Sequence, residues 1–185
     1  MTKKKELNQS VRHIVTRITR VHFLYIAAYM LSIIVFDSWN LITHEAVLQR
    51  WTAAGALLIV NTVVWYLCRA KLQNENIYKV LLAVLLICDI LFAAVNVYWQ
   101  RGMASKSVML FVVPVISAGL TKSRSLLLAT TTISAAAYSI AAVRYFYENY
   151  GQGFRVELYG EVFFYSALLF VIAGFMMIHF RRAPE

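Results

Sequence analysis

The forty residues Leu81–Leu120 read LLAVLLICDILFAAVNVYWQRGMASKSVMLFVVPVISAGL. Two apolar runs flank a short polar turn, and the first is part of a run from Tyr78 to Trp99. A helix of that length reaches across the hydrocarbon of a bilayer, which takes about 20 residues. Asp89 is the one acid inside these runs, and Pro114 is one of two prolines in the chain. Segments of this kind predict crossings of a lipid bilayer rather than elements of a water-soluble core.

The rest of the chain repeats the pattern. Sixty-one per cent of its 185 residues are hydrophobic, and the mean hydropathy is +0.63, a composition whose natural solvent is lipid. Apolar segments are predicted to span at about 22–36, 51–67, 78–99, 107–120, 125–147 and 158–180. The fold class expected is therefore all-α, a polytopic membrane protein with six transmembrane helices in one domain, 21–182. A basic segment, 1–20, precedes it and a short tail, 183–185, follows. In 1–20, Leu7, Val11, Ile14, Val15 and Ile18 fall on one helical face while Arg12, Arg17 and Arg20 lie off it. That pattern suits the headgroup layer of an anionic leaflet.

The net charge of +9 follows from topology. With the amino terminus inside, thirteen of the eighteen basic residues lie in inner segments: Lys3, Lys4, Lys5, Arg12, Arg17, Arg20, Arg69, Lys71, Lys79, Lys122, Arg124, Arg181 and Arg182. Arg50, Arg101, Lys106, Arg144 and Arg155 fall outside. Lys and Arg concentrate on the cytoplasmic side of membrane proteins, so both termini are predicted to be cytoplasmic. Trp39, Trp51, Tyr98, Trp99, Tyr145, Tyr147 and Tyr150 mark the outer interface. No basic stripe with stacking aromatics lies outside the apolar runs, so nucleic acid is not an expected partner. The expected partners are the bilayer itself and a second protein, or another copy of the chain, within it.

Asp89 lies ten residues past Lys79, which puts it about 15 Å in, near the midplane. A charged acid there is costly, about 2.5 to 3.5 kcal/mol on insertion scales, so it is expected to face the protein interior or be protonated. Asn96 and Gln100 extend a polar stripe along nearly the same face. Asn61, at similar depth in the second segment, is the expected hydrogen-bond partner. Pro114 cannot donate to the carbonyl of Leu110, and a protonated Asp89 could satisfy that carbonyl. Asp89, Asn61, Pro114 and Asn96 thus form a candidate buried pivot. Gln100, Arg144, Glu157 and Glu161 form a candidate polar site at the outer rim, with Arg144 expected to pair with Glu148 or with the two later glutamates. Thr131, Ala135 and Ser139 give the fifth segment a small-residue face, and Gly174 is expected to allow close approach in the sixth.

Cys68 and Cys88 lack CxxC spacing, and the histidines show no ligand spacing, so neither a metal nor any other cofactor is expected. No nucleophile–base set, phosphate-binding glycine loop or paired carboxylates occur, so no enzyme activity is predicted. The basic amino terminus shows no cleavable signal pattern.

The stretch from Asp89 to Arg124 resembles the six-helix membrane sensor region of bacterial histidine kinases of the type IV pilus regulator kind. The likeness rests on Asp89, on Gly102, Ser105 and Ser107 in the outer turn, on FVVPVISAGL with Pro114, and on the basic inner turn of Lys122 and Arg124. Arg17 and Arg20 before the first helix add to it. The resemblance implies an input module in a bacterial inner membrane that passes helix movements to a cytoplasmic partner, here without a kinase domain in the sequence. The alternatives are a small substrate-binding membrane subunit of a transporter and a scaffold in an envelope complex.

Overall fold

The computed structural model describes residues 2–70, 74–100, 102, 106–150 and 156–182. Lys71, Arg101, Ser105, Arg155 and the tail 183–185 lie outside this set, as do the side chains of residues 1–10, Glu75, Arg181 and Arg182. The described chain is helical, without strands: α1 Thr2–Ser38, α2 His44–Arg69, α3 Glu75–Trp99, a 3₁₀ segment Lys106–Phe111 leading into α4 Val112–Gly119, α5 Arg124–Tyr150 and α6 Val156–Arg182. Among the described residues five helices are long and apolar enough to cross a membrane. They contain the first, second, third, fifth and sixth predicted spans.

The fourth predicted span, 107–120, is different. It is a 3₁₀ turn followed by eight α-helical residues, and the whole apolar helix runs only from Lys106 to Gly119. Pro114 is the third residue of α4, inside the first turn, where a missing N–H costs a helix no internal hydrogen bond. The proline therefore sits at a helix start rather than at a break in a long helix, and the tighter 3₁₀ winding before it supplies the link.

The basic segment 1–20 also differs from expectation, because α1 runs unbroken from Thr2 to Ser38. The division between amphipathic segment and span is one of composition alone. Of the predicted apolar face, Val15 and Ile18 are fully enclosed and Val11 and Ile14 half-buried, whereas Arg17 and Arg20 are exposed.

The chain divides into two compact units, Met1–Cys88 and Asp89–Glu185, with the division inside α3. In the first unit α1 and α2 form an antiparallel hairpin. Its turn follows from local chemistry. Asn40 takes a left-handed conformation (φ 53°), the Asn40 N–H donates to the Asp37 carbonyl and the Leu41 N–H to that of Phe36. This is the Schellman closure, with Asn in the place usually held by Gly. Thr43 then caps α2, its Oγ1 accepting from the Ala46 N–H at 3.3 Å. The hairpin is held by Ile33, Val47 and Ala54 near the turn, and by Phe23 edge-on to Trp65 (6.1 Å) further along.

In the second unit α4 lies against both α5 and α6, and α5 lies against α6. Phe111, Tyr138 and Tyr165 form an edge-to-face series joining the 3₁₀ segment to α5 and α6, at 6.1 and 5.9 Å between ring centres. At Gly119 an added Cβ would come within 2.5 Å of Met176 Cε, so α4 and α6 touch closely there. Gly174, expected to serve this purpose, faces open space. The close approach is instead made by a glycine of α4, the shorter helix. Ser123 starts α5, its Oγ accepting from the Leu126 N–H (3.4 Å), and Lys122 before it holds a left-handed φ of 58°.

Candidate functional site

Asp89 and Asn96 are both buried, 1% and 0% exposed, on the α3 half that belongs to the second unit. They lie seven residues apart, two turns, and so share a face of the helix. Asn96 Nδ2 donates to the Phe92 carbonyl at 2.8 Å. Asp89 sits ten residues before Trp99 in a helix without a break, about 15 Å from that end. The expected burial of both residues is therefore what the structure has.

The same unit buries a second polar row on α5. Thr130, Thr131, Ser134 and Tyr138 are at most 4% exposed. Thr131 Oγ1 donates back to the Leu127 carbonyl at 2.8 Å, which removes its polarity from the apolar interior. Ser134 Oγ and the Tyr138 hydroxyl have no hydrogen-bond partner among the described residues. Small-residue spacing in the sequence pointed to Thr131, Ala135 and Ser139. The structure places Thr131 and Ala135 in the interior and Ser139 half-buried, its Oγ donating to the Ala135 carbonyl at 2.7 Å. Ser134 and Tyr138 were missed, although Tyr138 lies one turn beyond Ser134, a spacing that puts the pair on one face.

Asn61 belongs to the first unit, and its interaction is local to that unit. Its Nδ2 donates to the Thr19 carbonyl of α1 at 3.1 Å, and its Oδ1 accepts no hydrogen bond among the described residues. The residue expected to partner Asp89 thus joins α1 to α2. Pro114 is buried in the first turn of α4.

At the carboxyl ends of α3 and α5 the structure builds a compact polar cluster within the second unit. Arg144 Nε donates to Glu148 Oε1 at 2.8 Å, one of the pairings expected from the sequence. The Tyr98 hydroxyl donates to the other carboxylate oxygen, Glu148 Oε2. Arg144 also lies over the Tyr98 ring, 5.8 Å from its centre, and Tyr98 meets Tyr145 edge-on at 6.0 Å. Gly102 (φ +58°) is seated against Tyr145, whose ring lies 3.0 Å from where a Cβ would be. Tyr98 was assigned only to the aromatic belt, because its distance from Glu148 in sequence hides the contact. Gln100 closes α3, its N–H donating to the Asn96 carbonyl at 3.0 Å. Glu157 and Glu161 are exposed near the start of α6 and make no ion pair with Arg144 among the described residues.

Among the described residues no group of three His, Cys, Asp or Glu side chains could hold a metal ion. His22 is buried, its Nδ1 2.9 Å from the Ile18 carbonyl and its ring edge-on to Tyr25. Compared with known proteins, the chain matches no family model, no curated protein and no solved structure.

Proposed function

We propose that this chain is a sensory or regulatory membrane module that transmits helix movements to a cytoplasmic partner through α6. It looks like the input region of a sensor histidine kinase, and that likeness enters as analogy alone. The supporting observation is Asp89, a buried acid at mid-length in an unbroken apolar helix. Ionisable groups in such positions are expensive and mark sites of function.

Six crossings with both termini inside remain the best reading of the charge pattern, even though α4 is short. If the helix 106–119 did not cross, Lys122, Arg124, Arg181 and Arg182 would move outside, and the inner share would fall from thirteen to eleven of eighteen basic residues. The 3₁₀ segment helps, since it rises about 2.0 Å per residue against 1.5 Å for an α-helix. Its six residues and the eight of α4 reach about 24 Å by those rises. A hydrocarbon core of about 30 Å can thin to meet a short span.

A chimera tests the proposal. The chain is fused after Arg182 to the dimerisation and kinase portions of a sensor kinase of known output, and phosphotransfer is read in membranes. Asp89→Asn, isosteric but unable to ionise, is expected to change output several-fold while the thermal melt stays within a few degrees. Constant output across Asp89→Asn and Asp89→Ala, with the chimera active, would sink the reading.

A further inference from the structure

The inference concerns α1 and rests on the membrane reading of the apolar helices, not on the sensory one. An open groove of about 430 Å³ lies along α1, lined by His13, Ile14, Thr16, Arg17 and Arg20. None of these described lining residues is acidic. Thr16 Oγ1 donates to the Arg12 carbonyl at 2.9 Å, so its proton is committed. The donors left facing the groove are the two guanidiniums and the imidazole. Guanidinium forks match the oxygens of a phosphate group.

The same face of α1 changes character one turn further on. At ~100° per residue, His13, Arg17, Arg20, Leu24, Ala28 and Leu31 fall within a sector of about 80°. Leu24 and Leu31 are 72% and 61% exposed, and Ala28 is exposed as well. The buried positions Val15, Ile18, His22, Ile26 and Ile33 occupy the opposite side. The exposed face therefore runs from a cationic groove into an apolar track along one continuous helix. That is the outline of an amphiphile with an anionic head.

We propose that this face binds one anionic phospholipid, the phosphate-bearing headgroup held by Arg17, Arg20 and His13 and an acyl chain lying along Leu24, Ala28 and Leu31. A free phosphate ion would use the head end alone. Charge complementarity selects an anionic headgroup over a zwitterionic one, and the apolar track selects a lipid over the free ion.

Native mass spectrometry of the full chain in detergent tests this, with phosphatidylglycerol, phosphatidylcholine and inorganic phosphate as separate probes. Wild type is expected to retain one phosphatidylglycerol at least tenfold more tightly than phosphatidylcholine. Arg17→Gln with Arg20→Gln is expected to lose that preference by about tenfold or more, since both guanidiniums that meet the headgroup are removed. Lys122→Gln with Arg124→Gln removes the same charge elsewhere and is expected to leave retention unchanged. Leu24→Gln with Leu31→Gln keeps the cations and is expected to weaken phosphatidylglycerol retention. Equal loss in both charge-removal pairs would reduce the effect to net charge and overturn the site. Displacement of the lipid by equimolar inorganic phosphate would overturn its lipid assignment.

Discussion

Asn61 and Tyr138 show how differently buried polar groups behave in an apolar helix assembly. Asn61 carries one interhelical hydrogen bond, to the Thr19 carbonyl. Such bonds average about 0.6 kcal/mol in membrane proteins, because the alternative state also finds partners. Asn61→Leu is therefore expected to change the unfolding free energy by less than about 1 kcal/mol, measured by denaturation in detergent. Tyr138 is the reverse case, with a fully buried hydroxyl that makes no hydrogen bond among the described residues. An unsatisfied buried hydroxyl is a penalty of about 1 to 3 kcal/mol. Tyr138→Phe keeps the edge-to-face contacts with Phe111 and Tyr165 and is expected to raise the melting temperature; a fall would mean the hydroxyl is satisfied. At this scale the sequence located buried polar groups well but partners poorly. The burial of Asp89, Asn61 and Asn96 follows from the cost of polarity in an apolar segment, which is local. The choice of Thr19 by Asn61 depends on how α1 lies against α2, and depth along a helix says nothing about which neighbour faces it.

Among the elements, the short α4 is the one whose winding the sequence did not reveal. Apolar length predicted a span at 107–120, and the structure divides that stretch between 3₁₀ and α winding. The reason is the chemistry of Pro114, which fits a first helical turn better than a helix interior. The contact of Gly119 with Met176 was equally hidden, since it depends on two helices converging. Gly119→Leu forces Met176 aside and overfills the junction, with an expected loss of about 1 to 3 kcal/mol. Met176→Ala in the same chain makes room and is expected to recover most of that loss, read as the difference between the single and double variants. Additive losses would place the strain elsewhere. By contrast, the boundaries of α2, α3, α5 and α6 agree with their predicted spans to within a turn or two, because each is a long apolar run ended by charge or turn residues.

For the whole molecule, the claim most exposed to a single experiment is the crossing number. A reporter active only in the cytoplasm, inserted at Thr121–Ser123, is expected to be active if the helix 106–119 crosses, and one inserted after Gln100 is expected to be silent. Silence at both sites would reduce the crossings to five and put the carboxyl terminus outside, and activity at both would reduce them to five and put the amino terminus outside. Long apolar runs made the all-helical class legible, whereas the orientation drawn from the asymmetry of Lys and Arg is what the two reporters test. The division of the chain inside α3 was not, since an uninterrupted apolar helix carries no mark of where its neighbours change.

The unbroken α1 has a mechanical consequence. Its 37 residues make a rod of about 55 Å at 1.5 Å per residue, well beyond the roughly 30 Å of hydrocarbon. A rod that long cannot lie flat at its amino end and stand upright in the membrane at the other without a hinge, and it has none. With its apolar part across a bilayer, its first three turns would project as a stiff mast, and any tilt of the crossing part would swing the tip through an arc proportionate to its reach. If residue 5 and residue 35 were each spin-labelled, their separation should stay near 45 Å by the same rise whatever the lipid, with no shorter population.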